Sequence, residues 1–147
     1  MKRITQIAIL FIAISLINSV SGSAQNNLEE ALAKAKLENK HVFVNFSGSD
    51  WCRSCILLKK TILSSHEFAQ FADKELIILN VDFPRLKKNK LSDEQTSINE
   101  KLAAQYNPNG QFPTILLFDS EANVLGKTGY KSISPAEYVQ HIQSFIQ

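Results

Sequence analysis

The sequence predicts one α/β domain, a mixed β-sheet sandwiched between helices, on three observations. Three short runs rich in β-branched and aromatic residues, His41–Phe46, Leu76–Val81 and Thr114–Phe118, are nearly continuous in apolar character, as strands covered on both faces must be. The stretches between them carry helix caps and helical apolar spacing. Across 147 residues there is no internal repeat, low-complexity stretch or second core, so the elements share one domain.

The chain opens with Lys2 and Arg3, an uncharged and largely apolar run from Ile4 to Ile17, and the small, polar stretch Ser19 to Ala24. That order is the layout of an export signal, and its apolar core is shorter than the roughly 20 residues of a membrane-spanning helix. Gly22 and Ala24 place small residues three and one before a cut preceding Gln25. The expectation is therefore a signal peptide over residues 1–24 and a mature domain over 25–147, periplasmic or secreted; an uncleaved anchor is the alternative. Removing 1–24 takes away two basic residues and no acidic one, leaving 14 Lys+Arg against 14 Asp+Glu over 123 residues. A neutral domain without a basic face offers no electrostatic case for nucleic acid.

Each element has its own warrant. Asn27-Leu28-Glu29-Glu30 reads as a helix start, with Leu28, Ala31, Leu32 and Ala35 on one face, predicting a helix to about Lys40. After the strand at 41–46, Ser47-Gly48-Ser49-Asp50 breaks the chain, and a helix runs from Cys52 to Ser64 with Ile56, Leu57, Leu58, Ile62 and Leu63 as its apolar residues. Ser64-Ser65-His66-Glu67 reads as a capping box capped by Ser64, so the helix bends or restarts there. Leu76–Val81 is expected as a second buried strand, ended by Phe83-Pro84. Arg85 to Lys90 carries four positive charges and reads as a solvated loop in preference to a partner-binding patch.

Ser92-Asp93-Glu94-Gln95 caps a helix through about Tyr106, and Asn107-Pro108-Asn109-Gly110 is a turn. Phe112-Pro113 leads into the strand at 114–118. Asp119 to Asn123 turns the chain into an edge-like strand, Val124 to Tyr130. Ser134-Pro135-Ala136-Glu137 then starts a terminal helix with Tyr138, Ile142 and Phe145 on one face.

The chemistry concentrates at Trp51-Cys52-Arg53-Ser54-Cys55, which holds both cysteines of the chain. Two thiols confined to one Cys-x-x-Cys react with each other and with little else internal, and their loop is too small for a useful staple. Disulfide exchange needs a thiolate, a second thiol within reach and a surface open to a partner. Cys52 stands where strand gives way to helix, so unpaired N–H groups and the helix dipole favour its anion. Cys55, one turn later, is placed to resolve a mixed disulfide. Arg53 adds a positive charge beside Cys52. Pro113, preceded by Phe112, is either an ordinary strand starter or a cis element that exposes backbone to an extended substrate.

Metal binding fits poorly, because His41, His66 and His141 are the only histidines and no second Cys-x-x-Cys exists. Ile56 stands where haem attachment needs His. No cofactor is expected.

Phe46, Trp51-Cys52-Arg53-Ser54-Cys55, Asn80-Val81-Asp82, Phe112-Pro113-Thr114 and Gly129 together resemble the thioredoxin superfamily, from about Leu28 to the C-terminus. Gly48-Ser49-Asp50 ahead of the Trp-Cys pair is similar to exported bacterial members. The resemblance implies a thioredoxin-like fold, Cys52 as nucleophile, Cys55 as resolving thiol, a Cys52–Cys55 disulfide in the oxidised form, Pro113 as the cis-proline, and Trp51 and Phe112 at the partner surface. Asn45 stands where thioredoxins place a buried Asp that tunes the pair, and it cannot accept a proton in the same way. Arg53-Ser54 matches neither Gly-Pro nor Pro-His, so reductase, oxidase and isomerase all stay open. The expected activity is exchange with protein thiols and disulfides by a monomer, keeping partner cysteines reduced or rearranging them, as reductase or isomerase in preference to oxidase. A reductase in an oxidising compartment would need a membrane electron donor. The competing class is a non-catalytic peptide-binding or chaperone module of the same fold.

Overall fold

The computed structural model describes residues 28–146; the expected signal segment and the Asn27 cap lie outside them. In chain order the elements are α1 (Leu28–Glu38), β1 (His41–Ser47), α2 (Arg53–Leu58), a π-helical turn (Lys59–Leu63), α3 (His66–Glu75), β2 (Leu76–Asp82), a 3₁₀ turn (Lys87–Asn89), α4 (Asp93–Tyr106), β3 (Thr114–Phe118), β4 (Val124–Thr128) and α5 (Pro135–Gln143). The four strands form one sheet in the order β2-β1-β3-β4, with β1 parallel to β2 and antiparallel to β3, and β4 antiparallel to β3. The mixed sheet expected from the sequence is therefore present.

Side-chain alternation along β1 assigns the two layers. Val42, Val44 and Phe46 pack with α1, β2 residues Ile77, Leu79 and Val81, and β3 residues Leu116 and Phe118. Phe43 points the other way, into Leu58, Ile62, Phe68, Phe71, Tyr138 and Ile142. Since β1 is covered on both faces, its run of five buried residues needs no polar alternation.

The structure corrects three expectations. β2 is an edge strand, and one of its faces is closed only at its start: Ile77, Leu79 and Val81 are buried on one side and Leu76 on the other, while Ile78 and Asn80 are exposed. Its apolar run reflects strand propensity at Ile78 as well as burial. The cap of α3 is Ser65, whose Oγ accepts the Phe68 N–H at 3.1 Å, and not Ser64. Ser64 instead closes the preceding π turn, its N–H reaching Lys59 O five residues back. The first helix ends at Glu38, because Asn39 turns left-handed at φ 53° and the Lys40 N–H bonds back to Ala35 O.

The later caps form as the sequence predicts. Ser92 accepts the Gln95 N–H. Ser134 and Glu137 exchange bonds as a full capping box, with Pro135 at the first helical position. Among the described residues, no helix is long and apolar enough to cross a membrane.

Candidate active site

β1 ends at Ser47, and a tight turn built on Gly48 delivers the chain to Cys52. Gly48 O accepts the N–H groups of both Trp51 and Cys52. A side chain at Gly48 would run into the Trp51 indole, which lies directly over it. Cys52 is itself the N-cap of α2: its Sγ accepts the Cys55 N–H at 3.2 Å. A sulfur in that position takes one of the donors a helix start leaves open, and the same donor stabilises a thiolate. Cys52 and Cys55 are joined as a disulfide with Cα atoms 5.2 Å apart. Cys52 is 7% exposed and Cys55 4%, so the pair sits just below the surface.

Ser54 is the residue that sequence reasoning passed over. Its Oγ lies 3.5 Å from Cys52 Sγ and 3.4 Å from the Phe112 carbonyl oxygen, bridging the cysteine loop to the residue before Pro113. The Phe112–Pro113 bond is cis. Buried Asn107 shapes the approach to it, donating to Gln111 O and accepting the Gln111 N–H. Gly129 packs against this bend so closely that a Cβ there would lie 2.9 Å from Pro113 O. Cys52, Ser54, Phe112 and Pro113 thus meet on one surface. That convergence depends on contacts 58 residues apart, which local pattern does not carry.

Trp51 is half-buried in an aromatic group. Its ring meets Phe112 edge-on at 5.6 Å, Phe83 stands 5.5 Å from Phe112, and the indole N–H donates to Phe83 O at 2.7 Å. The Arg85 guanidinium stacks 3.6 Å over the Trp51 ring. The Arg85–Lys90 segment is exposed, as a solvated loop would be, yet it is pinned. Asp50 accepts from the Arg85 N–H, the Leu86 N–H and the Asn89 side-chain amide. These bonds, the Arg85 N–H foremost, hold the Asp50 carboxyl below its ordinary range. Asp82 secures the other side of the loop, accepting from Ser49 N–H, Ser49 Oγ and Phe83 N–H.

Arg53 occupies the first position of α2 and is exposed. Asn45 is 8% exposed on the β1 face that looks toward α2. Its Nδ2 donates to Asn80 Oδ1 at 3.1 Å, while its Oδ1 has no partner among the described residues. It lines a cleft of about 480 Å³ together with Cys55, Lys59, Phe68, Ile78 and Asn80. The open face of β2 creates this cleft beside the inner cysteine.

A cysteine pair at a helix start, under an aromatic lip and facing the bend before a strand, has the make-up of a thiol–disulfide exchange centre. The model of the thioredoxin-like family matches residues 23–120. The disulfide bond reductase DsbH of Chlamydia pneumoniae is 38% identical over 118 residues, covering 80% of this chain and 69% of that protein. A solved structure of DsbH oxidoreductase superposes with a TM-score of 0.74 at 36% identity, covering 82% of each chain. A thioredoxin from Thermus thermophilus shares the fold at 18% identity and a TM-score of 0.59, over 82% of this chain and 85% of its own. The chain belongs to the thioredoxin-like family, and it is a thiol–disulfide oxidoreductase with a Cys-x-x-Cys centre.

Proposed function

We propose that the protein is an exported dithiol reductase that passes an electron pair from Cys52 and Cys55 to disulfides of partner proteins. The observation that carries this reading is the cap geometry, which presents one sulfur at the open end of α2 and keeps the other a turn deeper. The Cys52 thiolate attacks one sulfur of the partner's disulfide. The partner S–S bond breaks, a Cys52–partner bond forms, and the displaced partner thiolate takes a proton from water. Cys55 then loses its proton and attacks Cys52 Sγ. The internal disulfide closes, and the second partner thiolate leaves and is protonated. Two electrons have moved from the protein to the partner.

Modest support of the outer sulfur among the described residues favours this direction. Apart from the bonded sulfur, Cys52 Sγ has the Cys55 N–H and the Ser54 hydroxyl near it. Strong oxidases owe their high potential to a heavily stabilised reduced form, so modest thiolate support favours donation of electrons. Likeness to a protein described as a disulfide bond reductase supports the same direction. Trp51 and Phe112 form the partner-facing surface in this reading, and the backbone at Phe112-Pro113 receives an extended substrate segment. Residues 1–24 act as a cleaved signal, the mature protein works as a monomer outside the cytoplasm, and a membrane electron donor regenerates its dithiol.

Equilibration in thiol–disulfide buffers, followed by emission of Trp51, the single tryptophan, tests the direction. A potential near about −270 mV is expected, and a value above about −180 mV overturns the reductase assignment. Insulin reduction by wild type, Cys52→Ser and Cys55→Ser separates an enzyme from a binding module of the same fold. Loss of turnover in both variants is expected, and equal rates in all three proteins would favour the module. Mass spectrometry of the exported protein should find Gln25 at its N-terminus.

A further inference from the structure

The pinned segment after β2 stands unused in the exchange chemistry. Asp50 lies two residues before Cys52 and ties down the backbone of Arg85 and Leu86 and the side chain of Asn89. The 3₁₀ turn Lys87–Asn89 follows directly, so Arg85, Lys87, Lys88 and Lys90 are held beside the redox pair. Arg85 goes further and lies on the Trp51 ring itself. All four cations are exposed.

Charge balance on this rim is one-sided. Asp50 and Asp82 keep their negative charges, since the groups that donate to them are all neutral, and they hold the backbone beneath the cations. Asp93 stands 3.4 Å from Lys90 and offsets that charge in part. Among the described residues, Arg53, Arg85, Lys87 and Lys88 have no carboxylate at ion-pairing distance. A formally neutral mature chain therefore sets five cations, Arg53, Arg85, Lys87, Lys88 and Lys90, against three carboxylates, Asp50, Asp82 and Asp93, where its partners must approach, a net positive excess.

We propose that the Arg85–Lys90 segment is a cationic docking rim that selects protein disulfides flanked by acidic residues. The inference rests on the oxidoreductase reading and adds a substrate class to it. Fixed charges next to a reacting group steer encounter more than they strengthen the final complex, so the effect belongs in the association rate and weakens with salt. An anionic bilayer is the poorer occupant. The segment's four cations stand only at the lower limit of the four to eight that mark a lipid-binding cluster, with Asp50, Asp82 and Asp93 among them. A membrane lying on Trp51 would also cover the cysteines.

Stopped-flow emission of Trp51 tests the proposal with the pre-reduced mature protein and three peptide disulfides that differ only in flanks of Glu, Gln or Lys. The Glu-flanked peptide should react about tenfold faster than the Lys-flanked one at low salt, and the two should converge at high salt. Lys87→Glu with Lys88→Glu should remove or reverse that order. Equal low-salt rates on all three peptides overturn the docking rim and leave the oxidoreductase reading intact. Absence of exchange with every peptide overturns both. Sedimentation with phosphatidylglycerol vesicles, accompanied by loss of exchange and no peptide preference, would overturn the proposal in favour of a membrane surface.

Discussion

Ser54 shows how much one hydroxyl can carry. It has a single hydrogen to donate and two acceptors within 3.5 Å, the Cys52 sulfur and the Phe112 carbonyl. Reduction turns the sulfur into an anion, which attracts that hydrogen more strongly than a neutral carbonyl does. Ser54→Ala should therefore raise the Cys52 pKa in the reduced protein by about half a unit to one unit, the size of a partly exposed charge-assisted bond. Arg53→Gln should raise it less, since solvent screens an exposed guanidinium. Ultraviolet thiolate absorbance against pH ranks the two, and a larger shift for Arg53→Gln would refute the hydroxyl's role. Asn45 illustrates the opposite case. The resemblance implied a buried position on the central strand, but the place of Asn45 in a cleft with Cys55 and its bond to Asn80 required the register of β1 on β2.

At the level of elements, caps and breakers were the readable part. Ser92, Ser134 and Pro135 start helices by local bonding that neighbours along the chain supply, so position and type both follow from pattern. The cap at Ser65 was misread by one residue because two serines compete and the π turn shifts the phase of the helix before it. The edge position of β2 was beyond pattern altogether, since Ile78 looks alike in a central strand and at a cleft wall. The turn between β3 and β4 offers a test at this scale. Ala122 sits there at φ 67°, a conformation that crowds any Cβ. Ala122→Gly should stabilise the protein by about 0.5–1 kcal/mol, the strain relieved exceeding the entropy lost. Urea titration reads this, and a lower midpoint would contradict it.

For the whole molecule, α5 packs against α3 and the π turn and bonds to the end of β4. Tyr138 is fully buried and donates its hydroxyl to Gly129 O at 3.0 Å, tying the terminal helix to the strand end that abuts Pro113. His141 bonds through Nε2 to Thr128 Oγ1 at 2.9 Å and stacks edge-on against Phe145. Burial, with Lys131 adding repulsion, lowers the His141 pKa below its ordinary 6.5. A depressed folded-state value means that the unfolded chain binds the proton more readily. The associated stability is present above pH 6.5 and is lost as pH falls through the lowered value. The urea midpoint should hold between pH 8 and 7 and decline at mildly acidic pH, with His141→Gln flattening that decline. An unchanged slope in the variant would remove His141 from the account.

The sulfur of Cys52 already accepts the Cys55 N–H while it is bonded to Cys55. The donor that would steady a negative charge is thus in place before the charge exists. Interconversion of the two oxidation states then calls for little nuclear rearrangement at the start of α2, and a barrier from reorienting backbone dipoles is largely absent. Reduced and oxidised forms should superimpose through this turn, leaving the rate of exchange to be governed by encounter and by sulfur basicity.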